Sequence, residues 1–321
     1  MNNTDFTLIM APLQGFTDCT FRTVYAAHFS GVDQALAPFI STMGERRLNP
    51  SRLKDVDPRY NLALPVTPQI LGNAAEDFVF LAQHLADMGH ARVNWNLGCP
   101  HSKVAKKNRG SGLLMFPETI DTLLEKIIPD LPVPLSVKIR LGRQDKEEIH
   151  DVIQVLNRHL LDHIILHPRT GIQMYRGDAD LDAFETAMNA SIHPFVYNGD
   201  ITDTAFFSTV QNRFPGIRRF MIGRGLLANP FLPEEIKGIS PEPDRRLTRL
   251  QNFHDDLLQA YAGQFSGPGH LTGRMKGFWH YLGQSFKTHE KPVKKILRSA
   301  SLTAYTRHVA DFFDAAPRFC P

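Results

Sequence analysis

A single thiol at the end of an apolar run is the first place where this chain can do chemistry. Cys99 closes the segment Asn94-Trp95-Asn96-Leu97-Gly98-Cys99-Pro100, and Lys103, Lys106, Lys107 and Arg109 follow it. A lone cysteine is most often a packed small hydrophobe. At the exit of a buried strand, beside a basic glycine-containing loop, the same thiol can deliver a proton to an anionic ligand. Lys138 is the second such residue. It lies in Leu135-Ser136-Val137-Lys138-Ile139-Arg140, a run otherwise apolar on one parity. A lysine turned inward there is costly unless an anion pairs with it. A reduced flavin, negative near its pyrimidine edge, would suit it; a side chain that snorkels to solvent is the alternative. Two short turns, Asn198-Gly199-Asp200 and Gly223-Arg224-Gly225, allow backbone to approach a phosphate closely, with charge added by Arg224.

Positioning these groups requires a scaffold, and the apolar patterning supplies one. Leu8–Leu13, Gln34–Phe39, Pro68–Leu71, Ala91–Asn96, Leu135–Ile139, His163–His167, Pro194–Tyr197 and Arg219–Ile222 read as strands. Amphipathic stretches such as Ala75–Met88, Pro117–Ile128, Glu147–His159 and Asp203–Phe214 separate them, with apolar residues at three- and four-residue spacing. Strand–helix alternation implies parallel pairing with right-handed crossovers, and the number of units fits a (β/α)8 TIM barrel. A doubly wound sheet is disfavoured, because Gln14-Gly15-Phe16-Thr17 after the first strand is not a G-x-G-x-x-G turn. In a barrel the C-terminal strand ends carry the chemistry. Gln69, Asn96 and Cys99, Lys138 and Arg140, His167 and Arg169, and the two glycine turns all fall there. The turns follow the seventh and eighth strands, where barrels commonly bind phosphate.

Pro241-Glu242-Pro243 ends the alternation. Beyond it Leu247–Tyr261, Thr272–Phe286, Val293–Leu302 and Ala304–Phe313 read as helices without strands, the first two separated by Gly263–Gly269. The expectation is a barrel over residues 1–241 and an all-helical C-terminal domain over 242–321. Charge divides at the same place: residues 241–321 hold 12 Lys and Arg against 7 Asp and Glu, while the first 240 hold 24 against 26. A basic module on a near-neutral body suggests a polyanionic partner; an ordinary solvated helical surface is the plain alternative. At 42% hydrophobic and 21% charged residues the chain is of soluble globular type. Its apolar runs are too short to span a bilayer, and its first residues lack the pattern of a signal peptide, which points to the cytoplasm. Cys19, Cys99 and Cys320 are too few and too far apart for a disulfide framework or a zinc site, so no metal is expected.

Taken in order, these segments resemble the tRNA-dihydrouridine synthase family. Met10-Ala11-Pro12-Leu13-Gln14-Gly15-Phe16-Thr17-Asp18 is similar to the family's M-A-P-M-x-G-x-T-D opening, and Pro68-Gln69-Ile70-Leu71-Gly72 to its Q-x-x-G strand. Asn96-Leu97-Gly98-Cys99-Pro100, then Lys103-Val104 and Gly110-Ser111-Gly112, resembles the N-x-G-C-P…K-V…G-x-G block. Ser136 to Gly142, His167-Pro168-Arg169-Thr170 with Gln173, Tyr175 and Gly177, Asn198-Gly199-Asp200-Ile201 and Met221-Ile222-Gly223-Arg224-Gly225 continue the likeness. It spans about residues 8–232. Leu13-Gln14, Asn94 in place of a common acid, and Pro168 in place of glycine depart from the pattern. The C-terminal likeness, Arg274-x-Lys276 and then Tyr281-Leu282, is looser.

The resemblance implies FMN in the barrel mouth, NADPH as reductant and uridine in tRNA as substrate. By position, Gln69, Lys138 and His167 would contact the isoalloxazine and Pro12 would lie along it. Asn198, Gly199, Asp200, Gly223 and Arg224 would surround the phosphate. Hydride would pass from flavin N5 to C6 of the base, and Cys99 would protonate C5. A free thiol, with a pKa near 8.5, suits a general acid at neutral pH. Asn96 and Arg169 would orient the base, with Lys103, Arg140, Arg274 and Lys276 on the substrate side. A monomer is expected. Two other classes compete: a flavin barrel acting on a free pyrimidine or another small enone, and a silent tRNA-binding protein. The basic tail argues against the first, and the presence of both Cys99 and Lys138 against the second.

Overall fold

Proline has no N–H to give a β-ladder, and two prolines divide the barrel wall of this chain. The computed structural model describes residues 6–239, 243–286 and 290–320. Its strands are β1 (Thr7–Met10), β2 (Gln34–Leu36), β3 (Ile40–Ser41), β4 (Val66–Thr67), β5 (Gln69–Leu71), β6 (Val93–Leu97), β7 (Leu135–Gly142), β8 (Ile164–Thr170), β9 (Phe195–Tyr197) and β10 (Arg219–Ile222). They form one parallel sheet in the order β3-β5-β6-β7-β8-β9-β10-β1-β2-β4. β2 and β3 are consecutive pieces of one stave, split at Pro38. β4 and β5 are pieces of the next, split at Pro68. Because β2 pairs with β4 and β3 with β5, the sheet closes on itself as a barrel of eight staves.

The closure corrects the expected strands Gln34–Phe39 and Pro68–Leu71 in detail. Ala35 faces Val66 and Leu36 faces Thr67, but Ile40 faces Ile70, so the register slips by one residue across the two prolines. β7 and β8 also run further than the expected ends at Ile139 and His167. Arg140, Arg169 and Thr170 are therefore strand residues, and all three are buried.

The connecting helices are α1 (Cys19–His28), α2 (Pro50–Val56), α3 (Ala75–Asp87), α4 (Ser102–Ala105), α5 (Pro117–Ile127), α6 (Glu148–Leu156), α7 (Leu181–Asn189), α8 (Thr204–Arg213), α9 (Arg224–Ala228) and α10 (Leu232–Ile236). Asp18, Asn49, Asp180 and Asp203 accept from backbone N–H groups in the first turns of α1, α2, α7 and α8, which is what fixes where these helices start. Their apolar faces pack on the outside of the barrel. Inside it, Ile9, Ala11, Leu36, Ile165, Val196 and Met221 form a separate apolar cluster. The inner surface contributed by β5, β6 and β7 is polar instead, with Gln69, Asn94, Asn96, Ser136 and Arg140 buried there. One half of the barrel interior is thus greasy and the other half hydrogen-bonded.

Among the described residues four α-helices follow: α11 (Arg246–Ala262), α12 (Pro268–Leu282), α13 (Glu290–Leu297) and α14 (Leu302–Asp314). α12 starts inside the expected Gly263–Gly269 separator because Pro268 takes the first helical turn, and it stops at Gly283 rather than Phe286. The expected boundary at 241/242 lies outside the described residues. The helices share a core with the barrel. Phe21 of α1 stacks on Phe278 at 5.3 Å, and Phe253 meets Phe29 at 5.0 Å. The buried Glu234 carboxylate pairs with Arg249 of α11, and Tyr261 donates to Asp18 at 2.7 Å. Among the described residues no helix is long and apolar enough to cross a membrane.

Candidate active site

The C-terminal ends of the staves enclose a cavity of about 360 Å³. Pro12, Asn96, Cys99, Lys138, Arg140, His167, Asn198, Gly199, Asp200, Gly223 and Arg224 all line it. Residues from every quarter of the sequence up to 225 therefore converge on one mouth. Gln69, Lys103, Arg169, Arg274 and Lys276 do not line it. Gln69 sits one layer behind, its amide bonded to Asn94 and Asn96. Lys103 is exposed on α4. Arg274 reaches the Gly15 carbonyl and pairs with Asp18 at 3.5 Å. Lys276 Nζ donates to the Ser299 carbonyl at 3.0 Å.

Cys99 is held by its backbone on both sides. Its N–H donates to Asn96 Oδ1 at 2.8 Å, and its carbonyl accepts from Ser111 N and Oγ at 3.0 and 2.9 Å. Arg140 Nε binds the Gly98 carbonyl at 3.0 Å, and Arg143 binds the Pro100 carbonyl at 2.9 Å. Gly110, at φ +56°, passes so close that a Cβ there would lie 2.9 Å from the Cys99 Cβ, so the turn needs glycine on both counts. Enclosure pushes the thiol pKa up. The backbone N–H of His101 and the cations Arg140, Lys138 and Arg143 oppose that shift without cancelling it. Cys99 thus holds its proton at neutral pH, as a general acid must.

Cations outnumber carboxylates on the rest of the wall. Lys138 Nζ has no hydrogen-bond or carboxylate partner among the described residues. Enclosure by protein, and then Arg140, bring its pKa down to about 7. His167 is held well below the usual histidine range, by burial first and then by Arg140, Lys138, Arg169 and Arg224. Arg169 donates to His167 Nε2 at 2.9 Å, which leaves Nδ1 to carry the proton of the neutral ring. Among the described residues Asp200 is the one carboxylate on the lining, and it is engaged: it pairs with Arg169 and with Arg224, the latter at 3.1 Å. It also accepts from Ala179 N at 2.9 Å. Its φ of +44° turns the loop after β9 toward the mouth. Asn198 Nδ2 donates to the Met221 carbonyl at 3.0 Å, tying that loop to β10. The ring of donors can hold an anion with both a planar and a phosphate-like part.

Tyr175 and Tyr281, both on the lining, were not singled out as site residues from the sequence. Tyr175 lies under Arg224 at 4.9 Å and Arg140 at 5.5 Å. Tyr281 arrives from α12 and meets Phe16 edge-on at 5.2 Å. Their only signal was membership of the Gln173-x-Tyr175 and Tyr281-Leu282 segments.

A sequence model described as dihydrouridine synthase matches residues 9–308. A probable tRNA-dihydrouridine synthase of Staphylococcus epidermidis is 31% identical over 261 residues, covering 79% of this chain and 78% of the relative. The tRNA-dihydrouridine synthase B of Serratia marcescens is 29% identical over 282 residues, covering 85% of this chain and 82% of that protein. Among solved structures, histamine dehydrogenase from Rhizobium sp. 4-9 has a TM-score of 0.52 at 11% identity, over 80% of this chain and 48% of its own. A morphinone reductase variant in complex with tetrahydroNAD has a TM-score of 0.50 at 13% identity, over 74% and 88%. These last two are likenesses of fold. With a family match over nearly the whole length and relatives aligned over most of theirs, the chain belongs to the dihydrouridine synthase family.

Proposed function

We propose that this chain reduces uridines in tRNA to 5,6-dihydrouridine, with FMN in the barrel mouth and NADPH as reductant. The observation that carries the reading is a thiol, Cys99, facing the same cavity as Lys138, whose Nζ has no hydrogen-bond or carboxylate partner among the described residues. The residues present fit a flavin. Lys138 would offer positive charge to its pyrimidine edge, and Pro12 and His167 would hold its ring. The backbone at Gly199, Asp200 and Gly223, with the Arg224 guanidinium, suits the phosphate. Asp200 serves through its backbone and by holding two arginines, since its own carboxylate would repel a phosphate. Reduced by NADPH and bound there, the flavin would supply the hydride that adds to C6 of the uracil ring.

Cys99 then gives its Sγ proton to C5. The S–H bond breaks as the C–H bond forms, and the thiolate left behind is met by the His101 N–H and by Lys138, Arg140 and Arg143. Asn96 and Arg140 face the base with the N–H groups their structural bonds leave over. Arg169 acts one layer back, through His167 and Asp200. The target base must leave its stack to reach the cavity, and Tyr175 and Tyr281 give it apolar surface there. Residues 1–241 would do the chemistry and 242–321 would hold the RNA.

Two measurements on the purified protein test this. The protein should carry about one non-covalent FMN per chain, and with NADPH it should form dihydrouridine in an unmodified tRNA transcript. A released chromophore that is FAD, or NADPH oxidation without dihydrouridine, would defeat the reading.

A further inference from the structure

Inside the polar half of the barrel, hydrogen bonds run in one line that begins and ends on the backbone. The Val93 carbonyl accepts from Ser136 Oγ at 3.3 Å, and Ser136 Oγ accepts from Asn94 Nδ2 at 2.9 Å. Asn94 Oδ1 accepts from Gln69 Nε2 at 2.7 Å, and Gln69 Oε1 accepts from Asn96 Nδ2 at 2.7 Å. Asn96 Oδ1 accepts from the backbone N–H groups of Gly98 and Cys99 at 3.2 and 2.8 Å. The strands make this possible, because Gln69 stands opposite Asn94 and Asn94 opposite Ser136. Gln69 and Asn94 are 0% exposed and Ser136 1%, so bulk water offers no substitute partner.

A carbonyl can only accept and a backbone N–H can only donate. The Gly98 and Cys99 N–H groups therefore fix the direction of each amide back to Asn94, and the Ser136 hydroxyl closes the line on the Val93 carbonyl. Turning Gln69 or Asn96 over would set donor against donor and acceptor against acceptor; turning Asn94 over would set its donor against that of Gln69 and draw the Ser136 hydroxyl off the Val93 carbonyl, leaving buried groups uncompensated. The direction has a consequence at the cavity. Asn96 must turn its oxygen to the Cys99 loop, and the group it has left for the cavity is an N–H.

We propose that Asn94 is a positioning residue for the reduction: as the acceptor for Gln69 it holds this line in the direction the Cys99 loop requires, so that Asn96 keeps its oxygen on the Cys99 backbone and presents the substrate base with a donor. The part concerning the base rests on the reaction proposed above; the part concerning Cys99 does not. An acceptor is what position 94 needs. A carboxylate supplies one, a hydrocarbon of similar size does not, and this contrast separates polarity from packing.

The test compares Asn94→Asp and Asn94→Leu with wild type, each as the full flavin-bearing protein. The pH profile of Cys99 alkylation by iodoacetamide, followed by peptide mapping, reads the thiol with no RNA present. Single-turnover dihydrouridine formation reads the reaction. Asn94→Leu should displace the alkylation profile and slow product formation by about 10²-fold, the order expected of a small misplacement of a reacting group. Flavin reduction by NADPH should keep its wild-type rate. Asn94→Asp should restore both readouts to within a few-fold of wild type. If Asn94→Leu does not retain flavin, Asn94→Ala carries the same comparison. A wild-type alkylation profile in the variant without an acceptor would overturn the proposal, as would an Asn94→Asp protein as impaired as Asn94→Leu. Wild-type protein that makes no dihydrouridine would defeat the proposed reaction instead, and the alkylation profiles would still judge the role of Asn94.

Discussion

Enclosure acts on Cys99 and Lys138 in opposite directions, because it disfavours whichever form is charged. It raises the thiol and lowers the ammonium, so the two groups face the cavity as a proton holder and as a cation that needs an anion to stay charged. Removing the first should separate the half-reactions. Cys99→Ala should keep its flavin and its NADPH oxidation while dihydrouridine formation falls by ~10²–10⁴-fold, the usual contribution of a positioned acid; product at the wild-type rate would assign the proton to another group. Lys138 has a signature in stability. With its folded pKa near 7, the flavin-free protein binds fewer protons here than the unfolded chain between that pH and the ordinary lysine value. Stability therefore rises with pH across the window. Lys138→Met removes this term. Flavin-free Lys138→Met should melt above wild type near pH 7, the gap should close as pH approaches 10, and flavin affinity should drop. A gap that is constant with pH would show that the lysine is solvated in the flavin-free protein.

At the scale of elements, the loops after β9 and β10 must meet each other before they can meet a phosphate. Gly225 is where they touch: a Cβ there would overlap the Ile201 carbonyl oxygen, and backbone on both sides leaves little room to yield. Gly225→Ala should cost about 1–3 kcal/mol, as overpacking does, and should weaken flavin retention, both measurable by thermal melting with and without added FMN. These loops were legible in the sequence because their glycines follow apolar runs, as were the eight staves from which they emerge. The breaks at Pro38 and Pro68 were less so, since a proline in an apolar run does not say whether its partner strand breaks at the same level. β7 and β8 were read short for a related reason. Arg140 and Arg169 look like the polar end of a strand by composition, yet both are buried, bonded to backbone carbonyls of neighbouring loops. The line from Ser136 to Cys99 was out of reach altogether. Its members are separated by 25 and 42 residues, and only the register of three strands brings them together.

For the whole molecule, the question is how a macromolecular substrate is held against so small a cavity. The C-terminal helices are not a loosely tethered module, since Phe253 and Phe278 pack into the α1 face and Tyr281 reaches the barrel mouth. RNA bound to them would therefore be held at a fixed distance from Cys99. Of the cations grouped before Ser299, Lys276 is engaged with the Ser299 carbonyl and Lys294 with Glu290 at 3.1 Å, while Lys287 lies outside the described residues. Lys291, Lys295 and Arg298 are exposed. Neutralising these three should weaken binding of a tRNA transcript and flatten the dependence of log affinity on log salt, by about 0.9 or less for each phosphate left without its cation. Flavin content should not change, because none of the three lines the cavity. Titrations at several salt concentrations check both quantities. If affinity and slope match wild type, the helical surface is only solvated, and the basic stretch Lys103–Arg109, which begins just beyond Cys99, becomes the place where the RNA backbone is held.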